Sequence, residues 1–150
     1  MNLEKKIPPP IVTAIFAGLA YISSLSGSKF TFSGQISLAF GFVCTGLLAI
    51  IVANIQFKQA STTINPLKPE TTSSLVDTGI FGYSRNPMYL GMAFILAGFC
   101  LYFGSWVGLI AIPAFVQYMD RFQIIPEETA LKDIFGENYT QYCVEVRRWI

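Results

Sequence analysis

Two short stretches of this chain hold the residue types that bind and transform small polar groups. The first, from Gly79 to Gly91, reads G-I-F-G-Y-S-R-N-P-M-Y-L-G, and it sets Tyr83, Arg85, Asn86 and Tyr89 where a polar loop runs into an apolar stretch. The second is the adjacent pair Glu127 and Glu128. A guanidinium grips a carboxylate or phosphate through two parallel hydrogen bonds. A carboxylate holds an ammonium or sugar hydroxyls, and a tyrosine face attracts a cation. Each stretch also has a plain structural reading. Asn86 is a favoured helix cap, Pro87 suits a first helical turn, and Arg85 can extend its stem to reach lipid phosphates. The two glutamates gain about 0.3–1 kcal/mol from a helix dipole if they sit in a first turn. The residues alone leave both readings open.

What the chain lacks narrows the chemistry. It has no histidine, which removes imidazole catalysis and most zinc sites. Cys44, Cys100 and Cys143 are widely separated, with neither metal-ligand nor redox spacing, so no bound metal is expected. Asn86 donates and accepts hydrogen bonds but cannot take up a proton. The pair Gly79 and Gly82 is not a dinucleotide fingerprint, because the third glycine and the preceding strand are missing. A net charge of +1 gives no broad field for nucleic acid.

The elements that position these residues follow from hydropathy. With 53% hydrophobic and only 13% charged residues in 150, the chain cannot clothe a soluble domain of its size, so a bilayer is the expected solvent. One all-α domain over 1–150 is expected, a polytopic helix bundle with four membrane spans near 11–25, 36–57, 88–103 and 106–119. Pro8 to Pro10 can open the first helix. Ser24, Ser26 and Gly27 after it also fit a signal-peptide cleavage site, but a retained helix is the expectation. Ile36 to Phe57 matches the roughly 20 residues that cross a bilayer core. Lys58 to Arg85, broken by Pro66 and Pro69, should be a surface loop.

Met88 to Met119 is too long for one ordinary span and short for two. Charge decides. If Gly104 and Ser105 turn the chain into a short hairpin, Lys5, Lys6, Lys58, Lys68, Arg85, Arg121, Lys132, Arg147 and Arg148 share one side, and only Lys29 lies opposite. A single span splits the cations evenly, whereas cytoplasmic loops hold the excess of Lys and Arg. The hairpin is therefore expected, with both termini and every acidic residue in the cytoplasm. A polar tail over 120–150 follows. Pro126 should open a helix that ends at Gly136, and a second segment from Tyr139 to Trp149 should place Tyr139, Tyr142 and Val146 on one face, with Trp149 at the membrane interface.

Taken together, the two polar stretches resemble the integral membrane methyltransferases that include isoprenylcysteine carboxyl methyltransferases and phospholipid N-methyltransferases. The family pattern is a basic residue, His or Asn, Pro, any residue, Tyr and a nearby Gly, with a Glu pair downstream. Here those are Arg85, Asn86, Pro87, Tyr89, Gly91, Glu127 and Glu128. Leu131, Phe135, Gly136, Tyr139, Tyr142, Val146 and Arg147 are similar to the family's closing segment, so the resemblance runs from about Leu75 to the end. It implies S-adenosylmethionine-dependent methyl transfer to a membrane-dissolved amphipathic acceptor, a prenylcysteine-like carboxylate or a phospholipid-like amine. It further implies a cofactor site lined by Tyr83, Arg85, Asn86, Pro87, Tyr89, Leu90, Gly91, Glu127 and Glu128, with Arg85 and Glu128 as the catalytic pair. Isoprenylcysteine enzymes usually carry His where this chain has Asn86, whereas the phospholipid enzymes resemble it in Asn-Pro-Met-Tyr. The alternatives are a relative of the nicotinamide-dependent membrane sterol reductases and a small helical membrane scaffold without catalysis.

Overall fold

Helices form over each of the four apolar stretches. The computed structural model describes residues 7–25, 29–60 and 75–150. Ser26, Gly27 and most of the polar loop, including Pro66 and Pro69, lie outside them. In the described residues α1 spans Pro9–Leu25, α2 Gln35–Gln59, α3 Pro87–Phe103 and α4 Trp106–Met119. Two shorter polar helices, α5 (Ile125–Phe135) and α6 (Glu137–Glu145), complete the chain. At 25 residues α2 is about 37 Å long, and it is apolar enough to cross a bilayer.

The helix α3 is the centre of the bundle. One side packs along α2 and another against α1 and α4. The α2 contact is built from small residues at seven-residue spacing, Ala39, Gly46 and Ala53 on α2 facing Gly91 and Gly98 on α3. A Cβ added to Gly91 would lie 2.6 Å from the Gly46 carbonyl, and one on Gly98 would lie 2.8 Å from the Ala39 carbonyl. Such backbone approach is how helices associate where no hydrophobic force draws them together. On the other side Val12, Ala20, Tyr89, Leu96, Cys100, Phe115, Met119 and Ile124 form the main core, with Phe16 edge-on to Phe115 at 5.7 Å.

The α3–α4 turn is made by Gly104, at φ +63°, and Ser105, whose Oγ accepts from the Gly108 amide at 2.9 Å. Only glycine takes that left-handed φ without strain. The Gln35 amide donates to the Leu101 carbonyl at 2.6 Å and the Phe30 amide to that of Gly104 at 2.9 Å, tying the start of α2 to this end. At the other end Gln123 Nε2 donates to the Ile7 carbonyl at 2.8 Å, and Gln56 Oε1 accepts from the Ile80 amide at 3.1 Å. Consequently the start of α1, the end of α2, the start of α3 and the whole tail share one end of the bundle. Among the described residues, Lys29 is the charged residue at the opposite end.

The tail departs from the expectation in two places. Pro126 stands at the start of α5 with Glu127 and Glu128 in the first turn, as expected, but α5 is not set apart from α4, which runs into it through a π-turn, Asp120–Ile124. The segment Tyr139 to Trp149 is helical only to Glu145. Its last residues are extended, because they hydrogen-bond to the head of α3 instead of to their own helix.

The α2–α3 contact gives a paired prediction. Gly91→Ala should lower stability by about 1–3 kcal/mol, since the added carbon meets backbone that cannot swing away. Gly41→Ala, on a face with nothing within 4 Å, should stay within about 0.5 kcal/mol of the parent. Thermal unfolding of both variants in detergent checks this.

Candidate active site

Pro87, fully buried, opens α3, and the two residues before it turn their side chains inward. Asn86 makes no side-chain cap. Its Nδ2 donates to the Arg148 carbonyl at 3.0 Å. Arg85 does not reach outward either, its side chain being 11% exposed. One terminal nitrogen, NH1, donates to the carbonyls of Cys143 (3.0 Å) and Val146 (2.7 Å), and the other, NH2, donates to Glu128 Oε1 (2.8 Å). The Arg85 amide completes the attachment by donating to the Arg147 carbonyl at 3.0 Å. The extended end of the chain is thus strapped across the head of α3.

Glu128 lies between two guanidiniums. Arg148 grips it through Nε to Oε1 (3.1 Å) and NH2 to Oε2 (2.7 Å), while Arg85 binds from the other side. Arg148 also lies 3.5 Å from Asp120, which accepts from the Trp149 indole at 3.1 Å. Trp149 is therefore fixed to the π-turn, where the sequence had suggested only an interface anchor. Burial alone would raise the Glu128 carboxyl, but the hydrogen bonds from Arg148 and Arg85 outweigh it and hold it below the ordinary carboxylate range. Burial would lower the Arg85 guanidinium, yet Glu128 carries it upward.

Glu127 points elsewhere. Tyr89, 7% exposed, donates its hydroxyl to Glu127 Oε1 at 2.5 Å. Both glutamates lie in the first turn of α5, just after the π-turn that joins it to α4. Around this centre Tyr139, Tyr142 and Val146 pack as one apolar face of the tail, and the Tyr142 hydroxyl donates to the Phe81 carbonyl at 2.7 Å. Burial pushes both tyrosine hydroxyls up, so they are neutral donors near neutral pH.

Of the residues expected at the site, Arg85, Asn86, Pro87, Tyr89, Glu127 and Glu128 come together at one end of the bundle. Leu90 lies half-buried beside them on the first turn of α3. Gly91 faces α2, where its missing side chain serves helix packing. Tyr83 points outward at 82% exposure. Sequence reasoning missed Arg148 and Asp120 as members of the cluster. The signal for Arg148 was the doublet Arg147–Arg148 just before Trp149, which enters the sequence analysis only in the count of cations on one side of the membrane. Asp120 carried no signal, since its partners become neighbours only in the fold. One polar atom is left over, for Arg85 Nε is buried with no partner among the described residues. No group of three metal-ligating side chains occurs among them either.

Residues 34–138 match the family model of the phospholipid methyltransferases, a span that takes in Arg85, Asn86, Tyr89, Glu127 and Glu128. The chain belongs to this family. It is 30% identical over 118 residues, 79% of its length, to the protein-S-isoprenylcysteine O-methyltransferase of Schizosaccharomyces pombe, and it spans about half the length of that protein. It is also 36% identical over 63 residues, 42% of its length, to the whole of an uncharacterized protein of Haemophilus influenzae. No solved structure matches it. The match to this methyltransferase family ends at residue 138, so Arg148 joins the cluster from beyond it.

The electrostatics of Glu128 fix a pH prediction. A carboxyl held lower in the folded state contributes stability above its unfolded pKa, and the contribution is lost as pH falls through the folded one. Glu128→Gln should therefore melt below the parent at neutral pH, and the gap should close as pH drops to and below the ordinary carboxylate range. Arg148→Ala should cost about 1 kcal/mol at neutral pH, allowing for the solvent contact of its side chain. Melting curves across pH measure both effects.

Proposed function

We propose that this chain transfers a methyl group from S-adenosylmethionine to an amphipathic acceptor dissolved in the bilayer, at a site formed by the head of α3, the first turn of α5 and the strap at 146–150. The family match supports methyl transfer, and the observation that carries the site is the convergence of Arg85, Asn86, Tyr89, Glu127 and Glu128 from two segments far apart in sequence. In this reading the four apolar helices span the membrane with the site end in the cytoplasm. That places all described charges but Lys29 on the side where positive residues accumulate.

The donor set fits this cofactor. Arg85 Nε is a buried donor with no partner among the described residues, suited to a carboxylate oxygen. Glu127, already oriented by Tyr89, offers its carboxylate to an ammonium or to ribose hydroxyls. When bound, S-adenosylmethionine supplies a methyl group already activated on a sulfonium, so the work of the protein is alignment and electrostatics. Arg85 and Glu128, the expected catalytic pair, act in this proposal as positioning residues, because their charges hold each other and the strap in place. A carboxylate acceptor needs no base. An amine acceptor releases a proton, and Glu127 is better placed to take it than Glu128, whose affinity for a proton is lowered by two guanidiniums.

Calorimetric titration of the detergent-solubilised protein should show saturable binding of S-adenosylmethionine. Glu127→Gln should weaken it at least about tenfold, or 1.4 kcal/mol, with the Glu128 cluster intact. A folded protein that ignores S-adenosylmethionine and binds a reduced nicotinamide dinucleotide would sink the proposal. The orientation is checked separately. A cysteine placed at Lys29 in a cysteine-free background should be labelled from outside intact cells by an impermeant maleimide, and one at Arg147 should not.

A further inference from the structure

The end of the bundle opposite the polar cluster is level across the four long helices. Ser23 of α1 hydrogen-bonds Ser105 at the head of α4, the Gln35 amide at the start of α2 donates to the Leu101 carbonyl of α3, and Lys29 pairs with Ser105. From that common end, the outward faces differ in height. On α2, at one side of α3, Ile36, Phe40, Leu48, Ile51 and Ile55 are about half exposed or more, an apolar face about 28 Å tall. On the other side lie α1 and α4. The exposed apolar face of α1, from Leu25 back to Ile11, is about 21 Å tall. That of α4 is shorter still. Trp106, Val107 and Ile110 are exposed, but so is Gln117, seven residues after Ile110 and therefore on the same face, and so is Arg121 beyond it. Gln117 stands only about 16 Å from Trp106. The two tryptophans of the chain mark the same short interval, Trp106 at the outer end of α4 and Trp149 bonded to Asp120 at its inner end.

We propose that the cytoplasmic leaflet thins against α4, so that phospholipid headgroups descend to Gln117 and Arg121 there while acyl chains still cover Ile51 and Ile55 on α2. This rests on the membrane-spanning orientation proposed above and names the lipid that the α4 face fits. A hydrocarbon core about 30 Å thick matches α2 and overshoots the α4 face. A flat leaflet would bury the Gln117 amide and the Arg121 guanidinium in acyl chains, where polar groups are costly. Tilting the bundle is no remedy, because tilt shortens the height of a helix along the membrane normal. Thinning has a modest cost per ångström of mismatch. It also gives Arg121 lipid phosphates to meet and sets the Trp149 indole at an interface, where indoles collect. A flat boundary would cut the chain near Ile125, beside the first turn of α5. The thinned one leaves Glu127 and Glu128 on the aqueous side, open to a water-soluble donor.

The test places single spin labels in the full chain, in a cysteine-free background reconstituted into dioleoylphosphatidylcholine. Leu48→Cys on α2 and Gln117→Cys on α4 carry the labels, because both positions are exposed and stand at nearly the same height above the outer end. Accessibility to oxygen against a water-soluble nickel chelate reads the depth of each. The Leu48 label should lie deep in the hydrocarbon and the Gln117 label at the headgroups, at least about 8 Å shallower. Equal depths for the two labels overturn the thinning and leave the spanning orientation and methyl transfer standing. Two labels open to the chelate and shielded from oxygen overturn the spanning orientation, and the thinning with it, while S-adenosylmethionine binding is read independently by calorimetry. A second variant, Gln117→Leu, extends the apolar face. It should melt higher than the parent in long-chain dierucoylphosphatidylcholine and show a smaller gain in short-chain dimyristoleoylphosphatidylcholine. The same shift in both lipids overturns the assignment of Gln117 to the lowered headgroup plane.

Discussion

One carboxylate held by two guanidiniums organises the polar end of this molecule. Glu128 comes from the first turn of α5, Arg85 from the head of α3, and Arg148 from the extended end of the chain. Taking three charges partly out of water is unfavourable unless each finds its partners. Here Glu128 accepts from both arginines, Arg85 caps two carbonyls at the end of α6, and Arg148 leans on Asp120. The result is a closed set of contacts joining three segments far apart in sequence. Tyr89 and Glu127 are placed by it, since the same turn of α5 carries both glutamates.

This polar end rests on a bundle of apolar helices. The outer faces of α1 and α2 show Ile15, Leu19, Ile22, Phe40, Leu48 and Ile51 about half exposed or more. Where α2 meets α3, small residues allow backbone to touch backbone. Gly91 shows the difference between a motif and its cause. It sits two residues from Tyr89, and on a helix that offset turns it toward α2, away from the glutamates. Its place in the pattern is explained by packing, whereas Tyr89 faces the site.

Much of the architecture was legible because it rests on local or one-dimensional signals. Apolar run lengths marked four helices, Gly104 and Ser105 marked the hairpin turn, and Gly136 marked the end of α5. The tail helix showed its buried face through Tyr139, Tyr142 and Val146. Boundaries failed where a tertiary bond competes with a helical one. Residues after Glu145 leave the helix because Arg85 and Asn86 take their carbonyls. The junction at Asp120 stays wound because the π-turn continues α4 into α5.

The sequence by itself determined that this chain is helical and apolar, that its chemistry excludes imidazole, and that Arg85, Asn86, Tyr89 and the glutamate pair are its polar assets. Those conclusions need only residue types, spacing and hydropathy, which are properties of the chain before it folds. Tertiary structure alone decided which glutamate is clamped by arginines and which meets Tyr89, that the Asn86 side chain binds a strap instead of capping α3, and that Arg148 and Asp120 join the cluster. Each of these depends on distances between segments far apart in sequence, and such distances are set by how helices pack and by which buried charges must find one another.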